Sequence, residues 1–90
     1  PGQLYLLDEP ETSLSPVNQI RLAEQINELA RYFDSQFIIS THSPFVLGTL
    51  HAKIYNLDRT ILQTAEWFEL DNVRFFYHFF DKHKRLFDQE

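Results

Sequence analysis

The feature that most constrains this chain is the run Leu4-Tyr5-Leu6-Leu7, four apolar residues that pass without a break into Asp8 and Glu9. An alternating pattern would describe a strand with one wet face. A continuous one predicts a strand covered on both faces inside a parallel sheet, with two carboxylates at its mouth. Such a strand needs neighbours on both sides. Because it begins within the first few residues, the chain is expected to be the C-terminal part of a larger domain.

The rest of the chain supplies an alternating series of elements. Val17, Ile20, Ala23, Ile26, Ala30 and Phe33 recur at steps of three and four, predicting a helix over 17–33 with Ser15 as its N-cap and Pro16 at its first position. Residues 36–40 read as a second strand centred on Phe37, Ile38 and Ile39. Ser43 can cap a short helix from Pro44 to about Leu50, which Gly48 weakens. A third strand is expected over 52–57, a turn at Asp58 and Arg59, and one or two strands within 61–70. Asp71 is then read as the cap of a helix over 72–87, with Phe76, Phe79, Phe80, His83 and Phe87 on one face.

Strand, helix, strand, helix, strand implies parallel pairing through right-handed crossovers. A helix of about 17 residues runs back about 25 Å, and the next strand returns to the same edge of the sheet. Residues just after Leu7 and just after Ser40 therefore meet at the carboxyl edge, where open α/β sheets bind their ligands. Asp8, Glu9 and His42 are placed there. One carboxylate can hold Mg²⁺, its neighbour can orient a water for attack on a phosphoryl group, and the histidine can donate to a terminal phosphate.

Composition narrows the function classes. The chain has 90 residues, one domain at most, and with 43% hydrophobic and 23% charged residues it is globular. It has no cysteine, which removes disulfides, thiolate metal sites and a cysteine nucleophile. A net charge of −5 disfavours nucleic-acid binding by this piece. No apolar run is long enough to span a bilayer and the start lacks the layout of a signal peptide, so a cytoplasmic location is expected.

The run Leu4-Tyr5-Leu6-Leu7-Asp8-Glu9-Pro10, then Ser13-Leu14-Ser15-Pro16, then Ile38-Ile39-Ser40-Thr41-His42-Ser43-Pro44 resembles the second half of an ATP-binding cassette nucleotide-binding domain. The three segments look like its Walker B strand, D-loop and switch-histidine loop, in family order. The Asp-Glu-Pro-Glu and Thr-His-Ser-Pro wording is closer to soluble predicted ATPases related to DNA-repair and phage-defence ATPases than to transporter cassettes. The resemblance implies a partial P-loop NTPase α/β sheet with flanking helices, lacking its N-terminal half. Residues 1–57 would form the Walker B to switch-loop region and residues 58–90 the remaining strands and an aromatic helix.

By position, the resemblance makes Asp8 the Mg²⁺ ligand, Glu9 the catalytic base and His42 the switch histidine. Ser13, Leu14 and Ser15 would be the D-loop, with ATP and Mg²⁺ as cofactors and a homodimer formed through that loop in the parent protein. Ser15 stands where transporters commonly have Asp and the soluble branch often has His. A phosphate-cradling G-x-x-x-x-G-K-[ST] loop is absent, since Gly2 and Gly48 are the only glycines. The chain is thus expected to carry half an ATPase site and to be inactive alone.

Blander readings stand beside these. Asp8 and Glu9 taken singly also suit a solvated turn, and His42 taken singly a surface loop. His51, His78 and His83 lack ligand-like spacing. Phe75, Phe76, Tyr77, Phe79, Phe80 and Phe87 can stack on bases, but their helical spacing favours packing. Lys82, Lys84 and Arg85 suit a helix C-terminus. The alternative function is a non-catalytic interaction module that keeps the α/β shell and presents the aromatic helix.

Overall fold

The computed structural model describes residues 3–57 and 63–89, which form two compact units, Pro1–Ala52 and Lys53–Glu90. In the first, strand β1 (Leu4–Asp8) pairs in parallel with β2 (Gln36–Ser40), and α1 (Pro16–Tyr32) makes the crossover between them. The register sets Leu4 opposite Gln36 and Asp8 opposite Ser40. The two strands therefore end together, as the crossover argument requires. Tyr5 and Phe37, also opposite each other, stack with ring centroids 5.0 Å apart.

Helix α1 starts where its capping residues place it. The Ser15 hydroxyl accepts from the Asn18 amide at 3.4 Å, and Pro16 takes the first helical position, where a missing amide hydrogen costs nothing. The helix ends at Phe33, and Asp34 follows with φ 51°, a left-handed conformation typical just beyond a helix terminus. Ser43 caps α2 (Pro44–Thr49) through the Val46 amide at 3.1 Å, again with proline first.

The core of this unit is small. Ala23 and Ile26 of α1 and Val46 of α2 are buried, and the two helices pack together. Asn27 adds a polar clamp, donating to the Thr49 carbonyl at 3.0 Å and accepting from the His51 amide at 2.9 Å. The helical period expected over 17–33 is present, but its outer members are not covered: Val17 and Phe33 are exposed. The covering expected on both faces of the first strand is also not found among the described residues. Leu4 and Leu6 are exposed, because among the described residues β1 has one neighbouring strand and the core forms beneath the helices.

The second unit departs from the expected alternation. Strand β3 (Ile54–Asn56) joins no parallel sheet among the described residues; it pairs antiparallel with β4 (Gln63–Ala65). A short connection between neighbouring strands closes an antiparallel ladder directly, whereas a parallel pairing needs a crossover of a dozen or more residues. The turn expected at Asp58 and Arg59, and the start of the segment expected at Ile61, lie outside the described residues. Among the described residues of 61–70 one strand forms, and Trp67–Glu69 is a single 3₁₀ turn with a Glu66–Glu69 capping box.

The aromatic segment is helical but interrupted. α3 (Asp71–Lys82) begins at Asp71 itself, with buried Leu70 in the capping position, and ends at His83, after which α4 (Lys84–Asp88) starts. The His83 ring approaches the Phe79 carbonyl at 2.9 Å, a side-chain contact at the end of α3. Ring contacts join Phe76 to Phe80, Phe79 to His83 and Phe80 to Phe87, as the shared-face reading requires. These rings do not form a core: Phe79, Phe80 and Phe87 are exposed, and Leu70 and Val73 are the buried residues among those described in this unit.

Candidate functional site

The parallel pair delivers its loops to one edge. Leaving β1, the chain turns sharply at Glu9, whose φ of 46° is left-handed and costs of order 1–3 kcal/mol for a residue with a Cβ. That conformation is held from both sides. The Glu9 amide donates to the Ser40 carbonyl at 2.7 Å, extending the β1–β2 ladder by one step. The Glu9 carbonyl accepts from the Thr12 hydroxyl at 2.8 Å and from the Thr12 amide at 3.2 Å.

Two residues beyond Ser40, His42 meets Glu9. Its Nδ1 lies 3.1 Å from Glu9 Oε1. With a carboxylate accepting there, Nδ1 is the nitrogen that carries a proton in this contact. The contact is open to water, the side chains being 49% exposed at Glu9 and 81% at His42. An exposed pair contributes little to stability. Two open clefts, about 290 and 300 Å³, are lined by Asn27, Thr49 and His51 and by Tyr5, Leu29 and Phe33, and neither includes Asp8, Glu9 or His42.

The other expected positions are distributed as follows. Asp8 is the last residue of β1, exposed and beside Glu9 at the same edge. Ser13 has φ 71°, Leu14 turns back to donate its amide to the Glu11 carbonyl at 2.9 Å, and Ser15 spends its hydroxyl on the helix cap. The structure thus joins Glu9 with His42 directly and sets Asp8 next to them, while 13–15 form a separate turn leading into α1. Glu11 carries a buried carboxylate oxygen with no hydrogen-bond partner among the described residues.

Three supporting residues escaped the sequence reading. Thr12 and Ser40 fix the Glu9 backbone, and Gln19 bonds to both Leu14 and Ser43. Thr12, a turn former three residues after Glu9, was findable as a side-chain-to-backbone bonding residue. Ser40 acts through its carbonyl and Gln19 across the tertiary fold, so neither leaves a sequence signal.

No group of three or more His, Cys, Asp or Glu side chains is placed to hold a metal among the described residues. Mg²⁺ does not require such a group, since it keeps several waters and is bound by one or two carboxylates together with substrate phosphates. Asp8 is a carboxylate of that kind.

Two parallel strands joined by a helical crossover, with an acidic pair and a histidine at their carboxyl edge, make a small mixed α/β unit. Residues 1–48 match the family model described as "AAA domain, putative AbiEii toxin, Type IV TA system", and the chain belongs to that family. The match supports a nucleotide-binding, ATPase-like domain and covers β1, β2 and the Glu9–His42 pair. No curated protein matches the chain. Among the described residues no helix is long and apolar enough to cross a membrane.

Proposed function

We propose that this chain supplies the Mg²⁺-binding and hydrolytic side of an ATPase site of the ATP-binding cassette kind, with the phosphate-cradling loop contributed from outside these 90 residues. The observation that carries the reading is the 3.1 Å contact between Glu9 and His42, formed where two parallel strands end together. Glu9 is the general base: its carboxylate accepts the proton of the water that attacks the γ-phosphorus. His42 acts as an imidazolium, donating Nδ1–H to the Glu9 carboxylate and its second N–H to the terminal phosphate as charge develops there in the transition state.

Asp8 would hold Mg²⁺, which would supply charge neutralisation to the transferred phosphoryl group. Ser13, Leu14 and Ser15 form the turn that meets a second subunit, so the active form is a homodimer. The isolated chain lacks the backbone amides and lysine of a phosphate loop and therefore neither binds ATP tightly nor turns it over.

The test combines this chain with the phosphate-loop segment of its parent ATPase and measures Mg²⁺-dependent ATP turnover. Turnover by the combination and none by the chain alone is expected. Saturable turnover by the chain alone would overturn the half-site reading.

A further inference from the structure

The turn at 13–15 and the loop carrying His42 leave different strands, and among the described residues no backbone hydrogen bond joins them. A side chain of α1 bonds to both. Gln19, half-buried on α1, donates Nε2 to the Leu14 carbonyl at 2.8 Å, and its Oε1 accepts from the Ser43 hydroxyl. Leu14 is the middle residue of the 13–15 turn, and Ser43 directly follows His42.

The array admits one arrangement. A carbonyl can only accept, so the amide nitrogen of Gln19 must face Leu14 and its oxygen must face Ser43. Ser43 is 7% exposed, and its oxygen already accepts the Val46 amide at 3.1 Å. Its one hydroxyl hydrogen is therefore committed to Gln19. The Ser43 amide donates in turn to Thr41 Oγ1 at 3.1 Å, so the residues on both sides of His42 are held. The exposed Glu9–His42 contact cannot by itself hold this loop in place.

We infer that Gln19 is a positioning residue: through Leu14 and Ser43 it ties the 13–15 turn to the His42 loop and so sets His42 against Glu9. The inference rests on the proposed hydrolytic pair and adds to it a link by which contact at 13–15 controls the site. Substitutions separate this role from simple support of α2. Gln19→Leu removes both bonds and leaves the Ser43 cap intact. Gln19→Glu keeps an acceptor for Ser43 and sets a carboxylate against the Leu14 carbonyl. Ser43→Thr keeps the hydroxyl, and Ser43→Ala loses it.

The experiment measures kcat, ATP affinity and the His42 imidazole NMR resonances in the full ATPase, with a thermal melt on every variant. Gln19→Leu and Gln19→Glu are expected to lower kcat by roughly 10- to 100-fold, the scale of an ångström-level misplacement. ATP affinity should change by less than about 2-fold, and the His42 resonances should move. Ser43→Thr should restore what Ser43→Ala loses, and Gln19→Leu combined with Ser43→Ala should be no worse than the poorer single variant. Should Gln19→Leu melt below the assay temperature, Gln19→Glu and the Ser43 pair carry the test.

Unchanged kcat and unmoved His42 resonances in folded Gln19 variants, with turnover still abolished by Glu9→Gln, would overturn the relay and leave the hydrolytic reading standing. Retained turnover in Glu9→Gln would overturn the hydrolytic reading, and the His42 resonances alone would then decide whether Gln19 positions that loop.

Discussion

Glu9 and His42 stand 33 positions apart in the sequence and 3.1 Å apart in space, joined because β1 and β2 run parallel and end at the same level. The contact orients the imidazole by taking up Nδ1. If the ring then serves the terminal phosphate, His42→Ala should slow ATP turnover in the intact ATPase by roughly 10²-fold, the cost of one donor aimed at developing charge. Steady-state kinetics check this, and turnover within 2-fold of the parent would remove the histidine from the mechanism.

Asp8 should behave differently from its neighbour. Asp8→Asn weakens a metal ligand, so nucleotide binding should fall and the Mg²⁺ concentration for half-maximal turnover should rise. A Mg²⁺ titration of turnover and nucleotide binding checks this. An unchanged midpoint would move the metal away from Asp8.

The left-handed residues separate stability from function. Asp34 at φ 51° lies in the α1–β2 connection, and Asp34→Gly should raise stability by up to about 1 kcal/mol with turnover unchanged. Glu9→Gly should also stabilise, since Glu tolerates φ 46° less well than Asp tolerates its own, while abolishing turnover. For a chain of this size about 1 kcal/mol is a shift of about 4–8 °C in Tm, readable by circular dichroism. A fall in Tm for Glu9→Gly would show that the strained turn is held by its side chain.

The small core gives a sharp contrast along one helix. Ile26 is 5% exposed and Val17 60%, although both sit on the same apolar period of α1. Ile26→Ala should cost about 2–5 kcal/mol in urea unfolding and Val17→Ala less than about 0.5. Equal costs would mean that Val17 is covered in the folded protein.

Much of the first unit was legible in the sequence because local signals agreed. Ser15-Pro16 and Ser43-Pro44 mark helix starts by their hydrogen-bonding needs, and the apolar centres at Leu4 and Phe37 mark strands whose crossover forces Glu9 and His42 together. What failed were inferences that depend on tertiary cover. Leu4, Leu6 and Val17 look like core by pattern, but burial depends on what packs against them. The third strand went to an antiparallel partner because closing a nearby hairpin is entropically easier than a crossover. The break at His83 and the Gln19 bridge arise from contacts that no residue spacing encodes.

The central claim is that Glu9 is the catalytic base, and its most direct test is Glu9→Gln in the intact ATPase, with turnover and ATP binding measured on the same preparation. The substitution keeps size and shape and removes the ability to take a proton. The account predicts a fall in kcat of roughly 10²-fold or more with ATP affinity and the ATP-held dimer retained. Near-parental turnover in that variant would contradict it, and near-parental behaviour of the Asp8, Glu9 and His42 variants together would leave a non-catalytic interaction module in its place.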